Sequence, residues 1–275
     1  MIRDKILKRL LNVPGARAVW NALPVGGVEL RVRHGIFSRP HYAYGVYSAA
    51  DLARRLELPA ITVAEFGVAG GLGLLALEKV AAEVAGHLGV AIHVVGFDGG
   101  QGMPEAVDHR DLPHVWGKGF YAMDERQLRA RLAPSTELVI GNVADTVGAL
   151  LARENVSPIG FAAFDLDYYS STKAALRIFA SANRQLHLPR VYCYFDDVMW
   201  PEHACHNEYV GELCAIREFN EAHADLKLCP VHMLRDMRIH RERWSDQFYA
   251  LHDFAHPLYC RNITHADEKH RQKRL

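Results

Sequence analysis

The chain has no long apolar run. No stretch approaches the ~20 residues that a membrane-spanning helix requires, so no membrane association is expected. It also has no excess of one charge. Lysine plus arginine and aspartate plus glutamate both number 32, whereas proteins that coat nucleic acid carry a clear basic surplus. The five cysteines (Cys193, Cys205, Cys214, Cys229 and Cys260) form no CxxC pair and match no zinc module in spacing. They are expected to be free, buried thiols in a reducing compartment. The N-terminus MIRDKILKRLLNV has no uninterrupted apolar segment of the secretory kind. Its Ile6, Leu7, Leu10 and Leu11 instead fit one face of a helix. A cytoplasmic location is the resulting expectation. The closing DEKHRQKRL is locally basic, a pattern that at a terminus is commonly just solvated.

What is present is a long alternation. Hydrophobic residues make up 49% of 275, enough for one large core. Residues 1–57 read as a helical arm or lid, broken around NALPVGG and carrying an aromatic loop, RPHYAYGVY. From Ile61 the texture changes: ITVAEFGV, AIHVVGFD, ELVIGN, GFAAFDLD and RVYCYFDD are short apolar runs. Segments rich in helix formers fall between most of them, including LGLLALEKVAAEVAGHL, DTVGALLAREN and STKAALRIFASANRQL. Such alternation predicts parallel strands covered on both faces. LKLCPVHM and QFYALHDF look like two further strands; no long helix separates them, so they are expected to pair antiparallel. The fold class is therefore α/β, a Rossmann-like seven-stranded, mostly parallel sheet forming one domain over 58–275.

The turn EFGVAGGLG, Glu65 to Gly73, follows the first strand and precedes a helix. Glycine lets backbone approach a ligand closely, although a strand-to-helix turn without any ligand has the same composition. The dinucleotide pattern GxGxxG fails, because counting from Gly67 places Ala69 and Leu72 at the second and third glycine positions. The P-loop fails as well, since no GK[ST] follows. An acid on the strand, Glu65, leads into the loop. Asp98 ends the next strand, well placed for ribose hydroxyls.

Two later strands end in paired acids, FDLD (Asp165, Asp167) and FDD (Asp196, Asp197). Strand side chains alternate with a period of two, so Asp165 and Asp167 share a side if the strand persists. Neighbouring parallel strands would bring all four acids to one rim. Like charges there repel and raise each other's pKa, which a hard divalent cation such as Mg²⁺ relieves. Against this, aspartates at strand ends often cap the following helix, and Ser170 or Ser171 could cap the helix after FDLDYY.

EFG and Asp98 together resemble the first motif and ribose-binding acid of class I S-adenosylmethionine-dependent methyltransferases. FDLDYYSSTKAAL, FDD, GFDGGQGMPE, GNVADTV and GELCAIREF are similar to segments of the macrocin O-methyltransferase (TylF/MycF-like) family, over roughly Glu65 to Phe219. That resemblance implies S-adenosylmethionine as co-substrate, bound by Glu65, Gly67, Val68, Ala69, Gly70, Gly71, Asp98, Gly141, Asn142, Val143 and Asp165. It implies a divalent metal on Asp165, Asp196 and Asp197, and Asp167 as general base. The reaction implied is methylation of a hydroxyl on a sugar or other small molecule, with association into a homo-oligomer left open. The approach to the fifth strand, QLHLPRVYCYFDD, is longer than the family's usual Gly-Gly turn.

A phosphohydrolase of the haloacid-dehalogenase type also uses DxD after a strand, but it needs threonine where Tyr169 stands. A nicotinamide-dependent reductase lacks its glycines here. A non-catalytic nucleotide-binding protein of the same fold is a third alternative. His203, Cys205 and His206 read as a polar loop opening a helix, with a histidine reaching the metal as the sharper option. His252 and His256 read as structural. Tyr42, Tyr44 and Tyr47 either close over the cofactor or pack the arm to the core. Trp116 and Trp200 are candidate pocket walls, with packing the default.

Overall fold

A computed structural model of the chain describes residues 7–264 apart from 12, 24, 154 and 155. The expectations for Ile6 and for the basic run 267–275 lie outside the described residues. Seven strands form one sheet: β1 (Ala60–Phe66), β2 (Ala91–Asp98), β3 (Thr136–Ile140), β4 (Ile159–Phe164), β5 (His187–Phe195), β6 (Leu226–Pro230) and β7 (Phe248–Asp253). Their order is β3-β2-β1-β4-β5-β7-β6. β1 to β5 run parallel, while β7 is antiparallel to both β5 and β6. β1 and β4 are buried almost throughout, because helices cover both faces.

The helices are α1 (Ala16–Ala22), α2 (Val28–His34), α3 (Pro40–Arg55), α4 (Leu72–Leu88), α5 (Glu125–Arg129), α6 (Val143–Leu151), α7 (Tyr169–Ala175), α8 (Gly211–Ala222) and α9 (Leu234–Met237). α3 packs on β1, β4, β5 and α4, so the segment before Leu58 shares the core of the sheet. The order turns around between β1 and β4, the switch point where open α/β sheets bind ligands beyond the strands' carboxyl ends.

Four phenylalanines fix the register at that edge. Phe97, Phe66, Phe164 and Phe195 sit side by side on β2, β1, β4 and β5, with successive ring centroids 4.8, 5.0 and 4.6 Å apart and rings nearly parallel. Because side chains alternate, the residue after each phenylalanine turns to the opposite face. Those residues are Asp98, Gly67, Asp165 and Asp196. Ladder hydrogen bonds continue through three of them: Gly67 N to Phe97 O, Asp165 N to Phe66 O and Asp196 N to Phe164 O, each 2.9 Å.

Several expectations change. RPHYAYGVY is not a loop but the opening of α3. Pro40 occupies the first helical position, where its missing N–H is harmless. Tyr42, Ala43, Val46, Ala49, Ala50 and Ala53 form the buried face. The helix expected from Ser171 to Leu186 is shorter. α7 ends at Ala175 and passes into a 3₁₀ turn, Leu176–Phe179. Tyr168, not Ser170 or Ser171, occupies its N-cap, and the Ser170 hydroxyl donates to Asp111 instead. β7 ends at Asp253, so His256 lies in a turn. The cysteines are all free, but only Cys193 and Cys214 are buried; Cys205, Cys229 and Cys260 lie on loops or at the sheet's edge strand and are exposed.

Candidate functional site

The loop after β1 is held by Asp98. One carboxylate oxygen accepts from the amides of Val68 (2.9 Å) and Ala69 (2.8 Å), the other from Gly100 N (2.6 Å). Gly67 has φ +86°, and a Cβ there would stand 1.8 Å from the Asp165 carbonyl oxygen. The loop and the end of β4 therefore touch backbone to backbone, and no other residue fits. Gly70 and Gly71 complete the turn into α4. On the next crossover, Gly141 leads into Asn142, whose side-chain oxygen caps α6 by accepting from Ala144 N (2.9 Å), with Val143 opening the helix.

Beside this loop stand the acids. Asp165, Asp196 and Asp197 each offer a carboxylate oxygen within 4.8 Å of the others. Asp165 and Asp196 keep part of their surface open, and Asp197 is buried. Burial, then Asp196 and Asp167, push the Asp165 carboxyl up to about 7, with Arg39 opposing. Burial also raises Asp197 well above the usual range, reinforced by Asp167 and Glu212. Asp196 accepts from the Tyr194 hydroxyl (2.7 Å), and its carbonyl accepts from the Gln247 amide (2.7 Å). Such a cluster of hard oxygen donors, crowded at an unfavourable proton affinity, fits a divalent cation.

Asp167 reaches the rim by a different route from simple strand alternation. β4 stops at Phe164, and Asp167 takes a left-handed conformation (φ +58°). Its amide donates to Asp197 Oδ2 at 3.0 Å. Burial raises its carboxyl to about 6; a hydrogen bond with Asp197 opposes the rise and the Asp196 charge adds to it.

Around Glu65, three further residues complete the site: Tyr42, Glu212 and Arg39, of which sequence pattern assigns neither Glu212 nor Arg39. Glu65 is 1% exposed, and its Oε1 accepts from the Tyr42 hydroxyl at 2.7 Å. Its other oxygen has no partner among the described residues, and burial drives the carboxyl up to about 8. Of the tyrosines expected either to close over the cofactor or to pack the arm to the core, Tyr42 reaches Glu65. Glu212, at the start of α8, is fully buried; it accepts from Asp197 N (3.1 Å) and lies 3.4 Å from the Thr172 hydroxyl. It thus braces the Asp-Asp turn against α7. Arg39 caps α3 and lies over the Tyr42 ring, 5.2 Å from its centroid.

Other candidates fall elsewhere. The Nε2 of His206 pairs with the Trp200 carbonyl (3.0 Å), and His203 sits in a short 3₁₀ turn beside exposed Cys205. Tyr44 packs on Trp244 and Phe248, and Tyr47 on His87, joining the arm to the core. His252 meets the Tyr259 hydroxyl, and His256 neighbours His187. Trp116 lies near Tyr121. Trp200 is 70% exposed. It helps line a cavity of about 370 Å³ beside Asp196, together with Met199, Arg235, Arg243, Asp246 and Gln247.

This strand order, with its final antiparallel pair and its glycine turn at the switch point, is the fold of class I S-adenosylmethionine-dependent methyltransferases. Among solved structures, the chain is similar to CalS11, a calicheamicin methyltransferase, at 23% identity and a TM-score of 0.50, covering 91% of this chain and 90% of that one. It is similar to the O-methyltransferase NovP at 17% identity and the same TM-score, 0.50, covering 78% and 80% of the two chains. No protein-family model matches the chain, and no curated protein matches it. No helix among the described residues is long and apolar enough to cross a membrane.

Proposed function

We propose that the chain transfers a methyl group from S-adenosylmethionine to a hydroxyl of a small acceptor such as a sugar, assisted by Mg²⁺ or a similar divalent cation. The observation that carries this reading is the gathering of Asp165, Asp196 and Asp197 within 4.8 Å, at the strand edge beside the Gly67 turn.

Val68, Ala69, Gly70 and Gly71 form the turn against which the nucleoside lies. Asp98 faces its ribose. Three amides already donate to that carboxylate, which leaves one of its roughly four acceptor positions for a hydroxyl. Gly141, Asn142 and Val143 border the base, and Glu65 and Asp165 border the amino-acid end. The co-substrate's sulfonium supplies an electrophilic methyl group. Asp165, Asp196 and Asp197 would hold the cation, which would supply Lewis acidity favouring deprotonation of the acceptor hydroxyl. Asp167 accepts the proton that the attacking hydroxyl loses. The cavity beside Asp196 receives the rest of the acceptor, and holding the oxygen in line with the methyl–sulfur bond contributes much of the acceleration.

The test is methyl transfer from radiolabelled S-adenosylmethionine to a panel of sugars and catechols, with and without EDTA. Label should enter a hydroxyl acceptor only when divalent metal is present. Undiminished transfer by Asp165→Ala in EDTA would refute the metal's part. Label in no acceptor, together with no heat on titrating S-adenosylhomocysteine, would refute the reading as a whole.

A further inference from the structure

Among the described residues, Arg39 is the cation of the segment before β1 that acts on this rim. It sits at the N-cap of α3, where no side chain caps the first turn. Its guanidinium stacks over Tyr42 at 5.2 Å, and the Tyr42 hydroxyl reaches Glu65 at 2.7 Å. Among the described residues it forms no ion pair, although Glu65, Asp165 and Asp196 all lie within its electrostatic reach. A half-buried arginine surrounded by three acids and bonded to none of them keeps its five donors available. Glu65 Oε2, on the far side of the Tyr42 hydrogen bond, is a buried acceptor with no donor among the described residues. Tyr42 thus joins a forked cation on its ring to an acid on its hydroxyl, and among the described residues neither the guanidinium nor Glu65 Oε2 has a hydrogen-bond partner. That pair complements an α-amino-acid zwitterion: carboxylate against the guanidinium, an ammonium hydrogen against the unpartnered acid oxygen. Arginine favours this role because its planar fork binds a carboxylate through two parallel hydrogen bonds.

We propose that Arg39 anchors the α-carboxylate of the methionine portion of the co-substrate, with Glu65 taking the ammonium. This rests on the methyltransferase reading and deepens it: a residue outside the strand-end motifs makes the site selective for the complete co-substrate over its nucleoside. The start of α3 is then part of the binding pocket rather than only a cover.

The experiment compares two probes on the full chain by calorimetry. S-adenosylhomocysteine carries the amino acid; 5′-methylthioadenosine has the same nucleoside thioether without it. The wild type should bind the first more tightly. Arg39→Gln should weaken S-adenosylhomocysteine roughly thirtyfold or more, the loss expected when one partner of a desolvated charge pair is removed. It should leave 5′-methylthioadenosine within about twofold, because that probe has no group for Arg39. Arg39→Lys should recover part of the loss, since it keeps the charge and gives up the fork. Far-UV circular dichroism checks that each variant is folded. If Arg39→Gln misfolds, the comparison is made on Arg39→Lys alone, which should weaken only the first probe. Equal weakening of both probes, or of neither, would overturn the assignment while leaving the methyltransferase reading standing. Failure of the wild type to bind either probe would remove both.

Discussion

Glu65 is the residue whose chemistry depends most on its surroundings. Its carboxyl, ordinarily at 4.5, is raised by burial to about 8. Over that interval the folded chain holds a proton that the unfolded chain has released. The stabilisation is complete below the unfolded value and is lost as pH climbs toward 8, by at most roughly 1.4 kcal/mol per pH unit. Without ligand, the wild type should therefore lose thermal stability relative to Glu65→Gln between pH 5 and pH 8. Parallel melting profiles across that range would show that Glu65 is not held protonated. At Asp167 the expectation is kinetic. Asp167→Asn keeps the amide that donates to Asp197 and removes the proton acceptor. If Asp167 is the base proposed above, this variant should lower kcat by roughly 10²–10⁴ while leaving the affinity for S-adenosylhomocysteine within a factor of a few; a matching loss of affinity would make Asp167 a binding residue. Asp167 also marks a limit of reading by pattern. Its identity as an acid at the rim was legible from DxD. Its route there, through a left-handed turn past the end of β4, was not, because φ at a single non-glycine residue leaves no periodic trace.

At the scale of elements, the strand ends are written in the sequence as a repeated dipeptide. GFD, AFD and YFD close β2, β4 and β5, and EFG closes β1. Each phenylalanine turns to one face and each following residue to the other, so stacking the rings sets the acids in line. α3 was harder to see. A proline, a glycine and three tyrosines within nine residues look like a loop on composition alone. They form a helix because proline occupies the first turn and the small residues face the sheet. Gly45 is one of these: a Cβ there would meet the Phe161 ring at 2.3 Å. Gly45→Ala should push α3 off β4 and cost of order 1–3 kcal/mol of stability, read as a lower urea midpoint; an unchanged midpoint would mean that α3 tolerates displacement. Gly67→Ala faces both a left-handed φ and the Asp165 carbonyl. It should displace the turn and abolish co-substrate binding, read out as loss of heat with S-adenosylhomocysteine. Binding at the wild-type level would place the nucleoside elsewhere.

For the whole molecule, the alternation of apolar runs and helices was enough to anticipate seven strands and their mostly parallel pairing. What it left out is side-chain convergence over long sequence distances. Tyr42 meets Glu65, and Glu212 meets Asp197, because α3 and α8 approach the same edge of the sheet from different parts of the chain. Such pairings follow from tertiary packing and carry no local signature. The same edge gathers negative charge in a chain of zero net charge, and this concentration is the central physical feature of the account. It is tested most directly by anomalous diffraction from crystals grown with S-adenosylhomocysteine and Mn²⁺. One manganese peak should lie among the carboxylates of Asp165, Asp196 and Asp197, with the nucleoside along the Gly67–Gly71 turn. Ordered nucleoside with no peak there, or a peak at another site, would contradict it.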